Sequence, residues 1–156
     1  MVSARRIRVG LDRIISTDMR YLILFLALLG VVDSALALHV HYDTGVEPCD
    51  INARWDCGIV NHSSFAEVKP THIPVAAVGI VGYLAMAALA FTRRRLLLAI
   101  AAIGGFGYAL YLSNIEKNVL EVWCLYCVIS QGLVALIMLL SVIWYAMAKL
   151  KSRQAA

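Results

Sequence analysis

Four cysteines punctuate the chain in two pairs, Cys49 with Cys57 and Cys124 with Cys127. An even number in close pairs reads as two dithiol/disulfide units. The stretch "EVWCLYCVISQ", residues 121–131, sets the second pair as a Cys-x-x-Cys at the head of a long apolar run. On a helix, residues three apart have Cβ atoms about 5–6 Å from each other. A disulfide needs Cα atoms within about 4.4–6.8 Å, so Cys124 and Cys127 can bond inside one helical turn. The N–H groups and partial positive charge of a helix start lower a thiol pKa, which suits an attacking or leaving thiolate. A plain staple across two residues of a rigid helix adds little chain-entropy stabilisation, so redox chemistry is the better use of this pair. Cys49 and Cys57 enclose "DINARWD", which reads as a mobile hydrophilic loop open to a soluble protein; a loop-stapling disulfide is its alternative. Four thiolates could instead hold zinc, but such sites use short Cys-x-x-Cys-like pairs. The gap between Cys49 and Cys57 is loose for that, and no metal is expected.

These cysteines sit in a chain that cannot be an ordinary soluble globule. Of its 156 residues, 62% are hydrophobic and 15% charged, and the apolar residues come in runs; the mean hydropathy is +0.78. A soluble domain of this length could not hide that much apolar surface. Four segments read as membrane helices, at about residues 21–40, 74–91, 96–114 and 124–147, each near the ~20 residues a span needs. Pro74 opens the second at a tolerated position. The ends, about residues 1–18 and the tail, read as solvated.

Of the 14 Lys and Arg residues, all but Arg54, Lys69 and Lys117 precede the first span, fill the Arg93–Arg95 link or follow the fourth span. The positive-inside rule then puts both termini and that link in the cytoplasm. The long loop, about residues 41–73, and the short one, about 115–123, face outward. A cleaved signal peptide ending near Ala35-Leu-Ala37 is the competing reading; the apolar run is long for one, and Asp33 interrupts it. All four cysteines therefore share the oxidising side. No basic face interleaved with aromatics suggests nucleic acid.

The order of these elements resembles the vitamin K epoxide reductase family, in its bacterial disulfide-forming branch. The resemblance runs from about residue 36 to 139 and rests on "CDINARWDCGIVNHSSFA" (49–66), "IPVAAVGIVGY" (73–83) and "WCLYCVISQ" (123–131). A spaced pair comes first and Cys-x-x-Cys later; the DsbB-like quinone reductases have the reverse order. The resemblance implies an all-α membrane protein: a four-helix bundle, one domain over 1–156, with the outer loop capping a quinone site. It implies that Cys49 exchanges with a thioredoxin-like (DsbA-like) protein and that Cys57 attacks Cys124 to form an interloop disulfide. Cys127 is then released beside a quinone, ubiquinone or menaquinone, and reduces it. Ser63 matches the family's loop serine or threonine near the quinone; a cap or turn hydroxyl is the plainer reading. Tyr126 and Gln131 are further quinone contacts, although Gln131 stands where the animal enzymes carry tyrosine. No match is found to the asparagine those enzymes place on the vitamin K head group. Both departures favour plain quinone reduction over epoxide reduction. The thiol partner is expected to be a separate polypeptide, and the membrane a bacterial cell membrane. Vitamin K epoxide reduction is one alternative. A non-catalytic membrane protein stapled by two disulfides is another.

Other residues have two readings each. Asp33 is ionisable about 12 residues into the first span, roughly 18 Å deep at 1.5 Å per residue, and reads as a proton relay or an interhelical hydrogen-bond partner. His39 and His41 read as interfacial, and His62 as either interfacial or catalytic. Trp123, Tyr126 and Tyr111 suit an aromatic belt. Gly104, Gly105 and Gly107 suit close helix packing. Asn61-His-Ser63 fits a glycosylation triplet that arises often by chance.

Overall fold

The computed structural model describes residues 2–43, 45 and 49–155, with side chains for 16–43, 45 and 49–154. Five helices and one minimal hairpin follow in chain order: α1 (Val2–Tyr42), α2 (Cys57–Asn61), β1 (Glu67–Val68), β2 (Ile73–Pro74), α3 (Val75–Phe91), α4 (Arg95–Ile115) and α5 (Leu125–Ala155). A π-helical turn, Glu116–Leu120, extends α4. Three stretches are long and apolar enough to cross a bilayer, Ser16–Tyr42, Arg95–Leu120 and Leu125–Gln154; α3, with 17 residues, is a shorter apolar helix.

Helix α1 shows why these sequences pack as they do. Its buried positions recur at helical spacing, through Ile23, Leu26, Ala27, Asp33, Ser34, Ala37 and Val40. Tyr21, Phe25, Leu28, Val32 and Leu36 lie on the other face and are exposed. Bare Leu and Phe in a continuous band are untenable in water and natural against lipid tails. The protein is thus built as an integral membrane protein. Helix α1 packs along α3 and α5, and α4 packs along α5. One core cluster gathers Ile23, Tyr83, Leu98, Ile137 and Trp144. A second holds Val40, Cys49, Cys57, Val60, Val122 and Cys124.

The helix ends differ from the expectation. The helices run past the expected span limits into both ends: α1 starts at Val2, and α5 continues to Ala155. No proline interrupts either extension, and Ala, Leu, Lys, Arg and Gln propagate a helix into water at little cost. The outer loop is also more structured than a hydrophilic tether. Asp56 caps α2, its Oδ1 accepting from Ile59 N at 2.7 Å, and Asp50 Oδ1 accepts from Gly58 N at 3.2 Å. The two aspartates around "INARW" fix the turn that presents Cys57.

Of the α4 glycines, Gly105 alone makes a close approach, a Cβ there coming within 3.2 Å of Val134 Cγ2 on α5. A Cβ at Gly104 or Gly107 would meet nothing within 4 Å. At Gly30 it would strike the Tyr83 ring, and at Gly79 it would come within 2.8 Å of Ser34 Oγ. The α1–α3 seam therefore needs the small residues. It leaves Tyr83 lying flat across α1, with its hydroxyl 2.8 Å from both the carbonyl and the Oγ of Ser130 on α5.

Candidate active site

Cys57 and Cys124 are brought together by backbone pairing, not by their own side chains. Trp123 N donates to Arg54 O at 2.8 Å, and Asp56 N donates to Trp123 O at 3.1 Å. This parallel bridge between Trp55 and Trp123 puts the residue after Asp56 beside the residue after Trp123. Those residues are Cys57 and Cys124, both fully buried at 0% exposure. Cys49 and Cys57 form a disulfide, and Cys124 and Cys127 are free thiols. The expectation of a water-exposed outer pair is corrected: Cys49 is 3% exposed, because the loop folds onto the ends of α1 and α5 and seals its own bridge in an apolar cluster.

Asn61, four residues after Cys57, lies on the same face of α2. Its Nδ2 donates to Cys57 O at 2.9 Å and to Cys124 Sγ at 3.5 Å. The backbone carbonyl of Asn61 in turn accepts from His41 Nδ1 at 2.6 Å. In sequence this asparagine had only its glycosylation triplet to mark it; the i, i+4 spacing from Cys57 was the usable signal. Glu116 likewise belongs to no motif in the sequence. The π turn that begins with it, closed by Glu121 in the left-handed region at φ 58°, folds the chain back sharply. The Glu116 carboxylate thereby accepts from Cys124 N at 3.2 Å while only 2% exposed.

Cys124 precedes the first residue of α5. The Cys127 thiol, hydrogen-bonded to it one turn on, holds the Cys124 thiol below the ordinary cysteine value. That outweighs burial and the Glu116 charge, which push it up. Cys57 of the oxidised pair is in the same cluster as Cys124.

A cavity of about 360 Å³ opens beside the thiols and runs between α1, α3, α4 and α5. Its walls are largely apolar, with Cys127, Tyr126, Ser63, Asp33 and Glu116 among the few polar groups. Such a slot suits a flat apolar ring with polar oxygens at its edges. Three of the residues assigned to the quinone, Cys127, Ser63 and Tyr126, line it. Gln131 is placed elsewhere: its Oε1 accepts from Ser113 Oγ at 2.7 Å, tying α5 to α4. It lies four residues beyond Cys127, and its side chain is spent on α4 rather than on the cavity wall. Ser63 has both of its readings at once. It is a turn hydroxyl, donating to Val60 O at 2.8 Å and accepting from Phe65 N at 3.3 Å, and it borders the cavity. His62 is exposed and stacks on His41.

Two cysteine pairs in this order, meeting over an apolar slot at the end of a helical membrane bundle, have a counterpart among known families. The vitamin K epoxide reductase family model matches residues 21–142. The chain belongs to the vitamin K epoxide reductase family. No curated protein matches it. Membership makes the protein an oxidoreductase of the membrane thiol/quinone class. The matched span contains the disulfide, both free thiols and every residue that lines the cavity, so the family's match and the observed cluster are the same region of the chain.

Proposed function

We propose that the protein reoxidises a separate thioredoxin-like protein outside the cytoplasm and passes the electrons through its two cysteine pairs to a quinone. The observation that carries this reading is the joint burial of Cys57 and Cys124, with Cys127 on the wall of the apolar cavity. A partner thiolate attacks Cys49, and the freed Cys57 attacks Cys124 of the oxidised second pair. Cys127 is released. The partner's second thiol attacks its mixed disulfide with Cys49, so the partner leaves oxidised, and the freed Cys49 attacks Cys57 of the Cys57–Cys124 bridge, which restores Cys49–Cys57 and leaves Cys124 and Cys127 as thiols. The state described here, with Cys49–Cys57 oxidised and Cys124 and Cys127 reduced, is the one from which that dithiol closes again. Its two electrons and two protons go to the quinone, which supplies the two-electron acceptance.

The same reading takes α3 as a fourth crossing, with both termini cytoplasmic. The ends of α1 and α4 and the start of α5 adjoin the cysteine cluster, and α3 starts from the hairpin on that side, Val75 N bonding Ala66 O at 2.8 Å. Only Thr92–Arg94 separate α3 from α4, so α3 must reach the far side for α4 to return. At 1.5 Å per residue its 17 residues cover about 25 Å, and flanking residues make up the difference.

Trapping tests the relay. Removing the cysteine that resolves a mixed disulfide leaves that disulfide in place. Cys49→Ala and Cys127→Ala are each expected to accumulate a Cys57–Cys124 bridge, seen as a peptide joining the loop to "WCLYC" after non-reducing digestion. Cys127→Ala is also expected to abolish reduction of a quinone followed by absorbance, with Cys49 still exchanging with a thioredoxin-like substrate. Finding only the untouched native pair and a free thiol in both variants overturns the relay.

A further inference from the structure

The relay as written leaves its protons without a carrier, and one buried group has an idle acceptor. Glu116 Oε2 takes the Cys124 N–H, but Oε1 is buried and has no hydrogen-bond partner. An unpaired carboxylate oxygen out of water is costly. Among the described residues no ion pair involves Glu116. Its carboxyl also adjoins the Cys127 thiol and borders the cavity. The backbone is shaped to keep it there, because the π turn and the left-handed Glu121 together return the chain from α4 onto the start of α5. π turns and left-handed non-glycine residues gather at working sites.

We propose that Glu116 is the proton carrier of the Cys124/Cys127 dithiol, taking the Cys127 thiol proton and handing it to the quinone oxygen. The proposal rests on the quinone-reducing reading above. In the step, Cys127 Sγ–H loses its proton to the free Oε1 as the Cys124–Cys127 bond forms. The dithiol is oxidised by two electrons, and the quinone is reduced by the same two. One of the two protons it gains passes through Glu116 and the other comes from Cys124, so Glu116 ends as it began. Oε2 meanwhile holds the Cys124 amide, which keeps the carboxyl aimed at the sulfurs.

The test is a single turnover of the full chain in lipid nanodiscs, with Cys124 and Cys127 reduced and a short-chain benzoquinone as the probe. Glu116→Gln keeps the size of the side chain and an acceptor for Cys124 N but cannot carry a proton as a carboxyl does. Its maximal rate is expected to fall about a hundredfold, the usual worth of a positioned acid–base group. The quinone concentration at half-saturation should not change, and Glu116→Asp should recover part of the rate. Thiol exchange at Cys49 should proceed as in the parent protein. A parental rate in Glu116→Gln, or a loss seen only in half-saturation, overturns the proposal. Should Glu116→Gln fail to accumulate in the membrane, Glu116→Asp decides alone: a carboxyl withdrawn by one methylene must cost about tenfold in rate, and a parental rate overturns the assignment. An unmutated protein that does not reduce the quinone sinks the function itself, a result distinct from an active Glu116→Gln.

Discussion

Polar side chains hold the backbone at Cys57 and Cys124, and one of them reaches a sulfur. Asn61 is the clearest case, since one amide touches the α2 backbone at Cys57 and the sulfur of Cys124. A hydrogen bond to a charged acceptor is worth about 1.5–3 kcal/mol, and a thiolate forms at Cys124 each time Cys49 resolves the interloop bridge. Asn61→Ala is therefore expected to slow transfer between the pairs by about tenfold or more. Quenched time courses of disulfide connectivity would measure it; an unchanged rate would show that the contact is packing alone. Asp33 belongs to the same scale. It lies on the buried stripe of α1 and borders the cavity, so its place in the membrane is explained by a polar edge to an otherwise apolar slot.

Helix α2 is only five residues long, and so short a helix has no stability of its own. It persists because Asp56 caps its first turn, Asp50 accepts from Gly58, and the Trp55–Trp123 bridge ties its entry to the segment before α5. Losing an N-cap aspartate costs about 0.5–2 kcal/mol. In Asp56→Ala that loss falls on the element that carries Cys57. The variant is expected to keep its helix content by circular dichroism while the yield of Cys57–Cys124 bridge in the Cys49→Ala background drops severalfold. Equal trapping with and without Asp56 would mean that the backbone bridge alone positions Cys57. The α1–α3 seam works by the opposite logic, with room made at Gly30 so that Tyr83 can reach Ser130 across the bundle.

At the scale of the molecule, the redox chemistry is gathered at one end and the basic residues at the other. Arg95 stacks over Trp144 with its guanidinium 4.8 Å from the ring and donates to Ser16 Oγ at 3.3 Å. Trp144 Nε1 donates to the same hydroxyl at 2.9 Å. This knot ties α1, α4 and α5 where cationic residues crowd, as a cytoplasmic boundary would. The orientation can be read with a membrane-impermeant maleimide on intact cells, with the four cysteines replaced by alanine. Thr71→Cys, in the exposed outer hairpin, should label at once, and Ser152→Cys only after permeabilisation. Labelling of Ser152→Cys in intact cells would reverse the topology.

The spans, the charge asymmetry and the cysteine order were legible in the sequence because each is local: an apolar run of sufficient length, a count of Arg and Lys, a spacing. Family membership followed from the same local signatures. Tertiary structure alone decided which atoms meet. The joint burial of Cys57 and Cys124 depends on a bridge between residues 55 and 123, and nothing within either segment announces the other. A helical residue four positions on from Cys127 can face the slot or face Ser113, and the packing of α5 against α4 puts Gln131 against Ser113. Asn61 and Glu116 looked like ordinary polar residues near a membrane surface. They became part of the site because a capped five-residue helix and a π turn, neither encoded by a periodic pattern, deliver them to the sulfurs. A sequence states its periodicities and its chemistry; long-range contacts are the outcome of burying several such elements at once.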